Sequence, residues 1–423
     1  MSDVKDPDAA PTPALASDLQ DERLIASQGF GGAVRVLRDR VSSGELGALP
    51  VIAGIVVIAV VFQALNDLFL SADNLSNLLL ECVPTGVIAL GIVFVLLLGE
   101  IDLSVGSVSG VTGAIMTLLF VNSDLPIVVA VAAGIGTGVL IGLVYGLIFN
   151  RVGVPSFVIS LAGLLAFLGL QLALLGNQGA VNLPFDSAIV KFAQLNFVPE
   201  VLAYVLVLVI AGGLFATGFL QAQRRRKANL SGTSMVFLVV RSAVIAVAGL
   251  AFVAYIYSGT GRGVGWMFVF FIVLVGVMHY VLTRTKFGRS MFAVGGNEEA
   301  ARRAGINTRR IYTSAFVLCS TFAAVGGMLA AARLAAVNQQ SGGADVNLNA
   351  IAAAVIGGTS LFGGRGSAIS ALLGIIVIQA ITNGLTLLNL DSSYRYMITG
   401  GVLLLAVAVD SVARRSRQSS GRA

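Results

Sequence analysis

The sequence predicts an all-α polytopic membrane protein with about 12 transmembrane helices, on three observations. Apolar residues fill 57% of the 423 positions and charged residues only 11%, against roughly 25% charged in a soluble domain. The apolar residues fall in runs of the ~20 positions needed to cross about 30 Å of hydrocarbon. The cations gather on one side of those runs. A water-facing surface cannot be built from this composition, which excludes a soluble enzyme, a disordered chain and a secreted disulfide scaffold. The two cysteines, Cys82 and Cys319, stand far apart inside apolar runs, where a thiol serves as a small hydrophobe.

Taken in order, residues 1–40 come first. They begin MSDVKDPDAAPTP and lack an early apolar segment, so they predict a solvated cytoplasmic tail rather than a signal peptide. Residues 30–41 carry Arg35, Arg38 and Arg40 and suit a short helix lying on the membrane surface. The membrane region is expected over 41–413. Its spans are expected at 49–65, 77–99, 103–121, 126–149, 154–176, 199–220, 236–257, 264–282, 312–332, 348–361, 367–389 and 394–412. Unbroken runs of this length are helices and not barrel strands. The run 348–361 is short and holds Ile356-Gly-Gly-Thr359, so it reads either as a full span or as a re-entrant, broken helix. Residues 414–423 form a basic C-terminal tail.

Lys and Arg set the orientation. With a cytoplasmic N-terminus, all of the 27 basic residues fall inside or at the inner edge except Lys191, Arg262, Arg333 and Arg395. Both termini are therefore expected in the cytoplasm. The Arg224–Lys227 run serves topology, and the formal charge of +6 carries no nucleic-acid signal.

Catalytic chemistry is missing from the pattern. His279, the one histidine, reads as an interfacial residue beside Tyr280, and no ligands cluster for a metal. Gly358-Thr-Ser-Leu-Phe-Gly363 has Walker-like glycine spacing, but Gly364-Arg365 follows where Lys-Ser/Thr is required. The chain is expected to be no enzyme, to hold no metal and to bind no cofactor of its own.

Three features carry more information. Gly134, Gly138, Gly142 and Gly146 repeat every fourth position, a stripe that lets a neighbouring helix approach closely. Glu100 and Asp102 interrupt a long apolar stretch, where ionisable groups are expensive. Asp102 or Ser104 can equally cap the following helix. The segment 288–310 is the longest polar interruption. In it Asn297 suits an N-cap, Glu298, Glu299, Arg302 and Arg303 complement the helix dipole, and Gly305 suits a stop before Ile306. The helix of about seven residues so defined is too short to stand alone, and reads as a capped surface turn or as a docking element.

Ile101-Asp-Leu-Ser-Val-Gly-Ser107, Gly295-Gly-Asn-Glu298 with Ala300–Asn307, Ala350–Leu361, Asn383-Gly384 and Leu403–Asp410 together resemble the simple-sugar permeases of ATP-binding cassette importers. The resemblance spans roughly residues 50–412. Val154–Phe167 and the additional pair of spans around 199–257 are similar to the xylose-type branch, which adds this pair to a ten-span core. The resemblance implies a bacterial inner-membrane permease, paired with a second copy as a homodimer, an ATPase on the cytoplasmic face and an extracytoplasmic sugar-binding protein. ATP-Mg would sit in the ATPase. It further implies a translocation path near Glu100, Ile101, Asp102, Ser104, Gly106, Ser107, Asn347, Asn349 and Asn383. ATPase coupling would fall to Gly295, Gly296, Asn297, Glu298, Glu299, Ala300, Ala301 and Gly305. Three positions depart from the family pattern: Glu100 stands before Ile101-Asp102, and Asn347-Leu-Asn349 replaces Glu-Leu-Asp. The expected function is import of a neutral monosaccharide, xylose or a related pentose. The alternative, an ion-coupled secondary sugar transporter, would need titratable groups in the membrane and would draw on Glu100 and Asp102. An intramembrane enzyme would need catalytic groupings that the sequence does not supply.

Overall fold

The structure is a computed structural model that describes residues 49–228, 235–259, 262–394, 396–401 and 404. The expected tails at 1–40 and 414–423, the surface helix at 30–41 and most of the 394–412 span lie outside the described residues.

Every expected span up to 367–389 is occupied by a helix. The first five helices are α1 (Leu49–Leu65), α2 (Ala72–Leu97), α3 (Val105–Val121), α4 (Ile127–Val152) and α5 (Ser156–Leu175). Strand β1 (Ala180–Asn182) precedes α6 (Glu200–Lys227), α7 (Met235–Tyr257) and α8 (Trp266–Arg284). Next come α9 (Lys286–Gly296), α10 (Glu298–Arg303), α11 (Thr308–Leu334), β2 (Ala336–Asn338), α12 (Ala344–Ile356) and α13 (Ala368–Leu387). Eight of them, α2, α4 to α8, α11 and α13, are long and apolar enough to cross a membrane. Helices α1, α3 and α12 are apolar but shorter. At about 1.5 Å per residue, the 17 residues of α3 and the 13 of α12 extend only ~25 and ~20 Å.

Helix ends move where polar caps move them. Helix α2 begins five residues before the expected 77 because the Ser71 hydroxyl accepts the Asn74 N–H at 3.3 Å. Helix α11 begins at Thr308 because Asn307 accepts the Arg310 N–H at 3.1 Å. The expected 348–361 span is corrected to 344–356. Gly358, with φ +103°, lies outside helical space, and 357–361 turn away.

The chain divides into two units. In one, α6 and most of α7 pair antiparallel. Gly218 meets Leu238 and Gly249 meets Val207, each 2.7 Å from where a Cβ would sit. This is the expected additional pair, with α6 running past 220 through the Arg224 cluster.

The other unit is a bundle centred on α11. The α4 stripe packs on it as expected: a Cβ at Gly138 would stand 2.7 Å from Ser320 O, and one at Gly146 2.7 Å from Thr313 Cα. Gly91 of α2 lies as close to Cys319 O, at 2.9 Å, and α2 is buried along most of its length, as befits a helix apolar on every side. At one end of the bundle β1 and β2 pair antiparallel, Ala180 opposite Asn338, and Asn66 donates to Leu387 O at 3.0 Å. At the opposite end Gly364 N–H donates to Leu97 O at 2.9 Å and His279 meets the Ser367 hydroxyl at 3.4 Å.

Candidate functional site

The end opposite the sheet carries α10. Its start is set by Asn297, which accepts the Ala300 N–H at 2.9 Å, and Glu298 and Glu299 fill the first turn. Its stop is Gly305, at φ +82°. There Gly305 N–H donates to Arg302 O and Ile306 N–H to Ala301 O, both at 3.0 Å, the paired bonds of a Schellman motif. Ala301 is buried while Glu299 and Ala300 face outward. Tyr312 of α11 donates to Glu298 at 3.3 Å.

Helix α9 escaped the sequence reading, which took its residues as part of a polar interruption. Thr285 caps it by accepting the Gly288 N–H at 3.2 Å, and it buries Met291 and Val294. Gly295 lies against Leu97 O with no room for a Cβ, whereas Gly296 has open space. Of the Walker-like glycines, Gly363 belongs to the same junction, at φ +80° beside Gly295 O, while Gly358 follows the end of α12 with open space around it. Gly363 and Gly364 form a packing turn against Gly295 and Gly296.

Glu100 joins this end. Burial is the main cause that raises its carboxyl above the ordinary range, the Ser156 hydroxyl opposes the shift, and the Glu298 charge adds to it. The Glu298 charge thus ties Glu100 to α10.

Between α2 and α3 the chain leaves helical form, and from Ile101 it climbs into the bundle. Ile101 N–H donates to the Ser156 hydroxyl at 3.3 Å, and Ser160 donates back to Ile101 O at 3.4 Å. Asp102 is 1% exposed. Its Oδ1 accepts the Ser104 N–H at 2.8 Å and the Ser104 hydroxyl at 2.7 Å. Tyr145 of α4 donates to that hydroxyl at 2.9 Å. Oδ2 accepts from no nitrogen or oxygen. The capping alternative therefore takes another form: Ser104 holds the N-cap position without a side-chain cap, and Asp102 closes a turn ahead of the helix. Ser107 bonds within α3, to Ser104 O at 3.0 Å.

Helix α12 starts against this same break. Asn347 donates to Leu103 O at 2.8 Å, and a Cβ at Gly106 would lie 2.8 Å from Gly342 O. Two short helices, α3 and α12, thus present their N-termini at the depth where α11 carries Cys319, which adjoins Asp102. Asn349, two positions on and about 200° around the helix, turns away from Leu103.

Asn383 belongs elsewhere. It donates to Glu81 at 3.3 Å and exchanges bonds with Asn74 at 2.8 and 3.1 Å. Glu81 pairs with Arg333 at 2.9 Å, the two side chains being 26% and 29% exposed, and Gln379 donates to Glu81 O at 2.8 Å. The sequence reading passed over Glu81, although a lone carboxylate in the apolar run of α2 was the signal that pointed to Glu100 and Asp102. Among the described residues no three potential metal ligands cluster.

Helices broken inside an apolar bundle, with buried polar groups at the breaks and a capped polar helix at one end, define a membrane permease. The chain belongs to the family described as branched-chain amino acid transport system / permease component, which matches residues 74–407. It is 33% identical over 395 residues to the xylose transport system permease protein XylH of Escherichia coli, covering 92% of this chain and 96% of that protein. The protein of that name in Haemophilus influenzae is 33% identical over 380 residues, 88% of this chain and 98% of its own. The ribose import permease protein RbsC of Escherichia coli is 31% identical over 363 residues, 85% of this chain and 92% of its own. No solved structure matches. The family consists of permease components and not of enzymes.

Proposed function

We propose that this chain is the membrane-spanning permease subunit of an ATP-binding cassette importer in the bacterial plasma membrane, carrying a neutral monosaccharide, xylose or a related pentose, into the cytoplasm. The observation that carries the proposal is the 33% identity with xylose permeases over 92% of the chain. Twelve spans, a ten-span core plus the α6–α7 pair, and cytoplasmic termini make up the topology, with tails at 1–40 and 414–423 flanking the membrane region 41–413. A homodimer of such chains forms the pathway.

Residues Ile101, Asp102, Ser104, Gly106, Ser107 and Asn347, gathered at the break, lie along that pathway, with Asn349 on α12, Asn383 towards the sheet end and Glu100 at the opposite mouth. The chain binds no cofactor. ATP-Mg is bound by a cassette ATPase that docks on Gly295 to Ala301 and Gly305, and an extracytoplasmic binding protein delivers the sugar. The outward face of α10 and its tie through α9 to Leu97 O support the docking role, since a push there reaches α2 directly.

The test is affinity purification from gently cross-linked native membranes followed by mass spectrometry. Stoichiometric recovery of a cassette ATPase is expected. Its absence, with the chain intact and cross-linking confirmed, would move the assignment to an ion-driven transporter.

A further inference from the structure

Above the break, towards the sheet end, the bundle holds a cavity of about 240 Å³ walled by α2, α3, α11, β2 and the start of α12. At about 30 Å³ per water, this is space for roughly eight waters, or for one small solute. One wall is polar: Ser109, Asn338, Gln340, Ser341 and Asp345. The rest of the lining is mainly apolar and includes Pro84, Ile88 and Val346.

The polar wall is built in advance. Gln171 of α5, fully buried, donates to Asn338 O and Ser341 O, both at 2.9 Å. The turn is closed from within by Gln340 N–H to Asn338 Oδ1 at 2.9 Å. It then seats on α3 at Gly110, where Ser341 O leaves no room for a Cβ. Groups fixed in this way need little ordering when a ligand arrives.

We infer that this cavity is a transit subsite for a monosaccharide, held by hydroxyl contacts to the Asn338–Asp345 turn and Ser109, with the C–H face of the sugar against Pro84 and Ile88. The inference rests on the importer reading and adds to it the place where the sugar is held. Polyhydroxylated rings have just this two-sided character, polar at the rim and apolar on the face. A free amino acid fits poorly: its carboxylate needs a cation, and the lining, drawn from described residues, carries the Asp345 carboxylate and no Lys, Arg or His.

The test is alkylation of Gln340→Cys in the purified full-length protein by a water-soluble maleimide. Cys82 and Cys319 are 0% exposed and stay silent. D-xylose is titrated, with L-leucine as the competing class and Ser123→Cys, in the exposed loop before α4, as the control position. Xylose is expected to slow labelling of Gln340→Cys by 1 + [xylose]/Kd, about fivefold at about four times Kd, and to leave Ser123→Cys unchanged. Ser341→Cys serves if the first variant does not accumulate. No protection at either position, with xylose uptake by the complete transporter intact, would overturn the subsite and leave the importer standing. Protection by leucine alone together with absent xylose uptake would overturn both. Equal slowing at the control cysteine would overturn the subsite as well.

Discussion

Gly305→Val isolates the role of α10 from the stability of the bundle. A Cβ at Gly305 meets nothing within 4 Å, so the added Cβ brings no clash. The backbone cost comes from φ +82°. Holding an L-residue in that region costs about 1–2 kcal/mol, with β-branched residues at the upper end and Asn, whose side chain bonds locally, below Ala. The helix it terminates has six residues and cannot stand alone, so this cost falls directly on its formation. At about 1.4 kcal/mol per decade, Val raises the frayed population roughly tenfold or more. The assay is ATP-driven uptake in proteoliposomes holding the complete transporter, with hydrogen exchange over 297–306 in parallel. Uptake is expected to fall in the order Gly, Asn, Ala, Val, by at most about tenfold for a tenfold rise in fraying, with membrane content unchanged. Wild-type uptake by Gly305→Val, despite faster exchange at 297–306, would refute the coupling argument.

Further outcomes follow from the polar contacts. Asp102→Ala strips the acceptor from the Ser104 N–H and hydroxyl, at about 1–3 kcal/mol for each buried donor left unpaired, so it is expected to reduce uptake more than Glu100→Gly; the reverse order in the same uptake assay would contradict this. Glu81→Gln and Arg333→Gln each leave a partly buried charge unpaired, and the double variant is expected to be more stable than the two single losses predict, with a coupling of about 1 kcal/mol or more in thermal unfolding. Additive losses would show the pair to be inert. The fold raises the Glu100 pKa, chiefly by burial, so its contribution is full below the ordinary carboxylate range of about 4.3 and is lost as pH rises through the folded-state value. Glu100→Gln should therefore flatten the fall in Tm as pH rises above the ordinary carboxylate range; an unchanged slope would remove Glu100 as its source.

Hydropathy made the spans legible because a membrane requires length and apolarity of every crossing helix. The stripe of Gly134 to Gly146 and the caps at Asn297 and Gly305 were legible for a related reason, since spacing and local bonding decide them. What escaped depended on tertiary placement. Helix α9 mixes Lys286 and Arg289 with Met291 and Val294, and only the Leu97 and Gly364 contacts show it packed. Asp102 and Glu100 are two positions apart in sequence, yet one is sealed at depth while the other meets Ser156, because extended backbone between them climbs into the bundle. The depth of α12 follows from Asn347 reaching Leu103, a partner no periodicity could suggest. Glu81 was visible but was passed over, and its pairing with Arg333 was not, as the two sit on helices far apart in sequence.

The stripe on α4 also sets a clock for biosynthesis. Its glycines seat on Thr313 to Met328 of α11, residues that leave the ribosome about 180 positions later, or roughly 10 to 40 s at 5–20 residues per second. During that interval the grooved face of α4 has lipid or an insertion factor for company rather than its own partner. A bulky substitution in the stripe leaves the early helices free to insert and then denies α11 its seat. Such a defect should surface as protein cleared by membrane proteases soon after synthesis, not as an assembled transporter that works slowly.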